Sequence, residues 1–183
     1  MSRALLVFTF AGALACTAPR PDTTADAARP APPADGARVL TPFALGEVRI
    51  GMTVAELNAA LGDSLRPGYE VNETCDIVRP ASFPPGVSAM VERDTIVRID
   101  VEAAGIVTPE GAGVGDAESK VLGLYGARAA VTPHKYTGPE GHYITVTEPT
   151  DSARLTIFET DGRTVHRYRA GTVPAVQYVE GCA

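Results

Sequence analysis

The chain has 183 residues and a formal net charge of −6, with 45% hydrophobic residues and no tryptophan. A sequence of this length can build one ordinary domain or two very small ones, and its hydrophobic content argues against general disorder. Because the net charge is negative and no run of basic residues occurs, nucleic acid is excluded as an expected partner.

The start of the chain has the features of an export signal. Arg3 is followed by an almost wholly apolar stretch over residues 4–15, and Cys16 comes directly after it. A charged start, about a dozen apolar residues and small residues at the end are typical of a secretory signal, and the stretch is too short for a permanent membrane helix. We therefore predict a signal peptide over residues 1–15 and an exported protein.

The cysteine at the end of this signal resembles the lipobox of bacterial lipoproteins, in which the cysteine is lipidated and becomes the new N-terminus. The resemblance implies that Cys16 is the lipidation site. It also implies a protein that is lipid-anchored to the bacterial membrane and faces the periplasm or the exterior. Residues 13–15 also form an A-x-A site for ordinary signal peptidase, and cleavage there would release a soluble protein.

Residues 16–37 are predicted to be a disordered tether between the lipid and the folded part. They are rich in Ala, Pro, Thr and Asp, and no bulky apolar residue occurs between Thr17 and Ala37. Such a segment cannot bury enough apolar surface to offset the entropy of ordering it. The same composition would also fit an ordinary frayed N-terminus.

The rest of the chain is predicted to repeat one small unit, first over residues 38–103 and again over residues 104–183. Residues 51–62 and 115–126 are equal in length, begin and end with glycine, and place apolar side chains on one helical face. Each segment predicts a short helix, which needs packing against other elements because short helices are marginal alone.

The ends of both predicted helices carry capping signals. Thr53 with Glu56 three residues later predicts a capping box at the first helix, and Asp116 is the expected N-cap of the second. Gly62 and Gly126 are expected to end the helices in the left-handed conformation.

Strand patterns follow each predicted helix. Residues 97–102 alternate apolar and polar side chains, as does the stretch over residues 142–148. Arg93-Asp94 and Asp161-Gly162 predict hairpin turns. The predicted fold is therefore α+β, with two small helix-plus-antiparallel-sheet repeats that form one compact body.

A short motif opens the first predicted helix: Gly51-Met52-Thr53, Glu56 and Leu61-Gly62. It resembles the SmpA/BamE-like and beta-lactamase-inhibitor-protein-like families of lipoproteins and secreted proteins. The resemblance implies one or two units in which a helical segment packs on an antiparallel sheet. An inhibitor of that kind is expected to present a face rich in aromatic residues, whereas only 6% of this chain is aromatic, so tight enzyme inhibition is not carried over.

The remaining two cysteines, Cys75 and Cys182, form an even set once Cys16 carries lipid. Export places them in an oxidising compartment, so we predict a disulfide between them that ties the C-terminus to the first half of the chain. Two free thiols are the alternative. Neither cysteine has the spacing of a zinc site or of a redox pair.

The densest polar and aromatic stretch lies on either side of a predicted turn. It supplies five candidate binding residues: His134, Lys135, Tyr136, His142 and Tyr143. The two histidines could serve as a general base or as metal ligands, whereas His142 also shares strand parity with apolar neighbours and fits a structural role at the edge of the core.

A further polar pattern lies near the C-terminus. Arg163, Arg167 and Arg169 share a predicted strand face with Val165, which fits either an anionic partner or a solvated surface.

No convincing pattern for a catalytic nucleophile, a metal site or a phosphate-binding loop occurs, so no cofactor, no metal ligand and no catalytic residue is predicted. The sequence therefore favours a non-enzymatic cell-envelope lipoprotein that acts as a binding, assembly or inhibitory module for a protein or cell-wall partner. The alternative is a small envelope hydrolase or metal-dependent enzyme that uses His134 and His142.

Overall fold

The computed structural model describes residues 38–68 and 73–182. The predicted signal peptide, the predicted lipidation site Cys16 and the predicted tether lie outside the described residues.

The described chain begins with short strands and a helix: β1 (Arg38–Val39), β2 (Ala44–Leu45), β3 (Val48–Arg49) and α1 (Val54–Leu61). Four strands follow: β4 (Cys75–Val78), β5 (Val87–Glu92), β6 (Thr95–Val101) and β7 (Ile106–Val107). A second helix and four longer strands complete the order: α2 (Glu118–Tyr125), β8 (Ala129–Pro133), β9 (His142–Glu148), β10 (Asp151–Thr160) and β11 (Val165–Thr172). Short 3₁₀ turns lie at Gly126–Arg128 and Ala175–Gln177.

Seven of these strands form one antiparallel sheet in the order β4-β5-β6-β11-β10-β9-β8. The two halves of the chain meet in its middle, where β11 pairs with β6 through Tyr168 opposite Val101 and Ala170 opposite Ile99. The short strands β1 and β7 pair in parallel, and β2 and β3 form a small hairpin.

The predicted fold of two helix-plus-antiparallel-sheet repeats is wrong. The strands predicted for the units at 38–103 and 104–183 belong to one continuous sheet, and the described residues are mostly β, with 43% strand and 16% helix. Pairing of β6 with β11 removes two edges that separate units would have exposed, and unpaired edges are a liability in water.

The first predicted helix has the predicted ends. The Thr53 hydroxyl accepts a hydrogen bond from the Glu56 amide at 3.2 Å, and the Glu56 carboxylate accepts one from the Thr53 amide at 2.8 Å. This is the predicted capping box. Gly62 ends the helix with φ 65° and ψ 31°, the left-handed conformation that glycine adopts without steric cost.

The predicted N-cap of the second helix is wrong. Ala117 is the N-cap of α2 and makes no side-chain capping bond. The Asp116 carboxylate instead accepts hydrogen bonds from the Gly113 amide at 2.8 Å and from Lys120 Nζ at 2.7 Å. Asp116 therefore stabilises the turn before α2. Gly126 ends the helix, but its ψ of −128° lies outside the left-handed helical conformation expected for it.

Both predicted hairpin turns are confirmed. Arg93 and Asp94 join β5 to β6 with positive φ angles of 46° and 68°. In the turn between β10 and β11, the Asp161 carboxylate accepts hydrogen bonds from the amides of Arg163 and Thr164. These backbone bonds, that of Thr164 first, lower the pKa of Asp161 to about 2.

One face of the sheet packs against both helices and the β2–β3 hairpin. Leu57 of α1 and Val121 of α2 are fully buried in the same hydrophobic cluster as Ile99 of β6 and Phe158 of β10. Since both helices lie on this face, the main hydrophobic core is single and continuous.

The opposite face, here called the polar face, is crossed by residues 173–182, here called the strap. Val176 of the strap packs on Leu155 and Ile157 of β10. At the end of the strap, Cys182 lies at disulfide distance from Cys75 of β4, with 5.4 Å between the Cα atoms. The cysteine pairing thus agrees with the prediction and ties the strap across the sheet.

Neither helix of the described chain has the length and apolar composition of a membrane span.

Two buried tyrosines give a matched test of the packing. Tyr168 has a buried hydroxyl without a hydrogen-bond partner among the described residues, whereas the Tyr125 hydroxyl donates to Thr108 at 2.7 Å and lies 3.0 Å from Glu110. Tyr168→Phe should raise the free energy of unfolding by about 1 kcal/mol because it removes an unsatisfied polar group, and Tyr125→Phe should lower it by about 1 kcal/mol. Urea unfolding of both variants measures the difference, and equal destabilisation of both would contradict the assignment.

Candidate functional site

The polar face carries an unusual number of charged and aromatic side chains for a surface that is partly covered. Glu159 and Arg169 are each 3% exposed, and Arg98 is 6% exposed. They alternate along their strands with Phe158, Tyr168 and Ile99, which point into the core. Strand alternation therefore places the charged side chains under or beside the strap.

Glu159 on β10 is the centre of this network. One carboxylate oxygen binds Arg169 Nη1, and the other accepts a hydrogen bond from Arg167 Nε at 2.7 Å. His134 Nε2 lies 3.2 Å from the same second oxygen. Three side chains, two from β11 and one from the residue after β8, therefore converge on one buried carboxylate.

The electrostatics of Glu159 favour the charged form. Burial by itself raises the pKa of this carboxyl, but the charge of Arg169 and hydrogen bonds from Arg167, Arg169 and His134 hold the pKa below its ordinary value of 4.5. The carboxylate thus stays ionised and orders the groups around it.

The hydrogen bonds of His134 define which of its nitrogens carries the proton. His134 Nδ1 accepts bonds from the amides of Tyr136 at 3.1 Å and Thr137 at 3.2 Å. An accepting Nδ1 leaves Nε2 as the nitrogen that donates to Glu159. His134 is therefore a structural bridge from the loop at 134–141 to the network, with no free nitrogen to act as a base.

Tyr143 on β9 forms the floor beneath this loop. Its ring stacks on the His134 ring with centroids 4.4 Å apart, and Arg169 lies 6.0 Å from its centroid. The Tyr143 hydroxyl is buried and has no partner among the described residues. Tyr143 is thus a packed ring of the polar face, not an exposed anchor.

Arg98 fixes the strap from below. Its Nη1 donates to the carbonyls of Ala175 at 3.1 Å and Tyr178 at 2.8 Å, while its Nε donates to Asp100 at 2.8 Å. Arg169 Nε donates to the carbonyl of Val176 at 2.6 Å. Two buried guanidinium groups therefore donate hydrogen bonds to three carbonyls of the strap and hold it on the sheet.

The strap divides the polar face into two cavities, both of which include Arg169 and Val179. The cavity on the β4–β6 side measures about 320 Å³ and is mainly charged. The cavity on the β8–β10 side measures about 270 Å³ and contains Tyr143, Ile157 and Gln177.

A cluster of three exposed side chains, here called the rim cluster, consists of Lys135, Tyr136 and Glu180. Lys135 Nζ lies 2.9 Å from a Glu180 carboxylate oxygen and 5.1 Å from the centroid of the Tyr136 ring. The Tyr136 hydroxyl donates to the same Glu180 oxygen. These contacts join the loop at 134–141 to the strap and hold the Tyr136 ring in one place.

His142 lies away from the other predicted residues. It shares the parity of the buried Ile144, and its Nδ1 lies 3.0 Å from both oxygens of Glu118 in the first turn of α2. The Thr160 hydroxyl donates to the same Glu118 carboxylate. His142 therefore faces the helices, whereas His134 is on the polar face.

Of the five predicted binding residues, the structure thus brings together four, His134, Lys135, Tyr136 and Tyr143, and separates His142 from them. In the described ranges, 38–68 and 73–182, no three His, Cys, Asp or Glu side chains come together as metal ligands would.

The predicted arginine face is corrected by an irregularity in the sheet. The register of β10 and β11 shifts between Glu159 and Thr160, so that His166 is an extra residue opposite that step. Arg167 and Arg169 consequently lie on the polar face, while Val165 is buried in the main core. Arg163 lies in the turn before β11 and does not share their surface.

Sequence reasoning missed Glu159 and Arg98 as members of the site. Alternation of charged with apolar residues around Arg98 did indicate a face different from the core, but it is also the pattern of a solvated strand face. No local pattern shows that the strap covers them.

No family model, curated protein or solved structure matches the chain.

Proposed function

We propose that the protein is an exported, lipid-anchored binding module of the bacterial cell envelope, without enzymatic activity, and that it docks a protein partner on the polar face. Cys16 anchors it to the membrane, and the residues between Cys16 and the domain serve as a tether. The resemblance of the signal to a lipobox supports the anchor.

The observation that supports the docking surface best is the exposure of Tyr136. It is 58% exposed, the most of any large hydrophobic side chain in the described residues, and the rim cluster holds it in place. Tyr178 and Val173 of the strap are also exposed. An aromatic ring that is already ordered loses little entropy on binding, and tyrosine is enriched among the residues that dominate interfaces.

The placement of the histidines favours binding over the hydrolase or metal-enzyme alternative. That alternative requires His134 and His142 to act on one substrate or one ion. His134 is engaged at both nitrogens on the polar face, and His142 binds Glu118 on the helix side. Geometry therefore supports surface complementarity better than shared catalysis.

Site-specific photocrosslinking in the native envelope tests the proposal. A photoreactive phenylalanine derivative at position 136, which keeps an aromatic ring there, should give one discrete adduct with a protein of the envelope, because this position is exposed. The same residue at Lys120, which is exposed on α2 on the opposite side, should not give that adduct.

In the same cells, Cys16→Ala should move the protein from the membrane fraction to the soluble fraction.

A variant without the Tyr136 ring provides the control. With a photoreactive residue at the neighbouring Lys135, Tyr136→Ala should lose most of the adduct that the same probe gives beside Tyr136, while the circular dichroism spectrum stays unchanged, since the Tyr136 side chain is 58% exposed. Identical adducts from positions 136 and 120, or none from position 136, would count against docking on the polar face. Unchanged membrane partition of Cys16→Ala would refute the lipid anchor alone.

A further inference from the structure

The charged cavity beside the strap has the size of a small-molecule site. Its volume of about 320 Å³ lies at the lower end of the range for ligand pockets, which is roughly 300–1,000 Å³. Four arginines from strands β6 and β11 and from the residue after β4 line it: Arg79, Arg98, Arg167 and Arg169. The rim cluster contributes only Glu180 to this lining, so the cavity is distinct from the exposed ring of Tyr136.

Two of these guanidinium groups have N–H donors that are not used within the described part of the chain. Arg98 uses Nε and Nη1 on Asp100 and the strap, and Arg169 uses Nε and Nη1 on the strap and Glu159. Nη2 of each has no acceptor among the described residues. Because a guanidinium carries five N–H donors and both arginines line the cavity, their remaining donors can bind acceptor oxygens of a ligand there. A planar carboxylate matches the geometry of these donors.

Acidic side chains also line the cavity, and they restrict the charge that a ligand can carry. Asp100, Glu102 and Glu180 line it beside the arginines. The Glu102 side chain makes no hydrogen bond or ion pair within the described part of the chain, and Asp100 uses one carboxylate oxygen on Arg98. The charges of both carboxylates also act on Arg167. These carboxylates offset part of the attraction that the four arginines exert on a simple anion such as phosphate, whereas a ligand that carries both charges finds a group of opposite sign for each of them.

We propose that this cavity binds a small zwitterion whose carboxylate and ammonium groups are attached to the same carbon atom, as in an α-amino acid. The carboxylate binds the spare donors of Arg98 and Arg169. The ammonium binds Glu102 and the free oxygen of Asp100. The site rests on the proposed function in that it treats the polar face as a binding surface, but it needs no protein partner.

Calorimetric titration of the purified full chain with three matched compounds tests the charge requirement. L-Alanine carries both groups, N-acetyl-L-alanine lacks the ammonium and L-alanine methyl ester lacks the carboxylate. L-Alanine should bind with a saturable isotherm, and each of the other compounds should bind about tenfold more weakly or worse, since each loses a charge-assisted contact.

Substitutions at the exposed rim of the cavity locate the site without disturbing the buried network. Glu102→Gln should weaken L-alanine binding about tenfold and reduce the disadvantage of N-acetyl-L-alanine, because it removes a carboxylate that faces the ammonium. Arg79→Gln should weaken binding of L-alanine and of N-acetyl-L-alanine alike. Glu140→Gln and Arg163→Gln remove exposed charges outside the cavity and should leave every isotherm unchanged.

Absence of L-alanine binding would overturn the inference, and so would equal binding of all three compounds. Binding that survives Glu102→Gln and Arg79→Gln unchanged would place the ligand elsewhere and would also overturn it. Each of these results leaves the crosslinks at position 136 unaffected, so failure of this site is distinguishable from failure of the proposed docking surface.

Discussion

Glu159→Ala should lower the free energy of unfolding by about 3–5 kcal/mol, the usual cost of removing one partner of a buried ion pair. The carboxylate is 3% exposed and neutralises Arg169, which is equally buried. Without it, Arg169 keeps a buried positive charge, and His134 loses the acceptor of its Nε2 proton. Urea unfolding followed by circular dichroism measures the effect.

Two further variants separate the network from a general effect of charge. Glu140→Ala removes an exposed carboxylate near the turn at 134–141 and should change stability by less than about 0.5 kcal/mol. Glu159→Gln keeps the shape of the side chain, so its free energy of unfolding should lie between those of Glu159→Ala and the wild type. A Glu159→Ala protein as stable as the wild type would show that the network contributes nothing to folding.

The stability difference between the wild type and Glu159→Gln should depend on pH. The pKa of Glu159 is lower in the folded chain than its ordinary value of 4.5, so its carboxylate contributes stability above about pH 4.5 and loses that contribution as the pH falls through the folded value. The stability gap between the wild type and Glu159→Gln should therefore be widest at neutral pH and should narrow in acid. A gap that stays constant between neutral pH and pH 3 would contradict the lowered pKa.

Sequence reasoning succeeded where the cause of a structure is local. The capping box of Thr53 and Glu56 depends on residues three positions apart, and the turn at Arg93-Asp94 depends on two residues between alternating strands. The cysteine pairing was also predictable, because Cys75 and Cys182 are the two that remain once Cys16 is assigned to the predicted lipid anchor.

Sequence reasoning failed where the partner of a strand had to be known. Nothing in the alternation of β6 shows that its free edge pairs with β11 and not with solvent or another unit. Equal helix lengths and flanking glycines indicated two repeats, although both helices lie on the same face of one sheet. Long-range pairing depends on the whole chain, so a local pattern cannot specify it.

The composition of the polar face depends on two features that periodicity cannot show. The register shift at His166 moves Arg167 and Arg169 to the polar face, away from the side on which Val165 is buried. The strap then covers Arg98, whose alternating neighbours predict a solvated surface. A single extra residue reverses the predicted parity of a strand, and a covering segment changes exposure without changing the pattern.

Replacing both bridging cysteines by alanine should lower the free energy of unfolding by about 4–5 kcal/mol, the chain-entropy value for a closed loop with a sequence separation of 107. The unfolded chain gains this entropy because Cys75 and Cys182 no longer restrict it. Urea unfolding of the double variant against the oxidised wild type measures the loss. Reduction of the wild type should give a similar loss, and the same reductant should leave the double variant unchanged.

Loss of the disulfide should affect the two halves of the folded strap differently. Its first half is held by packing of Val176 on β10 and by carbonyl bonds to Arg98 and Arg169, none of which depends on the bridge. Amide exchange at Gln177 and Tyr178 should therefore change little in the double variant, whereas exchange at 181–182 should accelerate, since these residues lose their covalent link to β4. Uniform acceleration over 175–182 would show that the bridge, and not the buried arginines, holds the whole strap on the sheet. Alkylation of both thiols in the wild type without reductant would show that the bridge does not form.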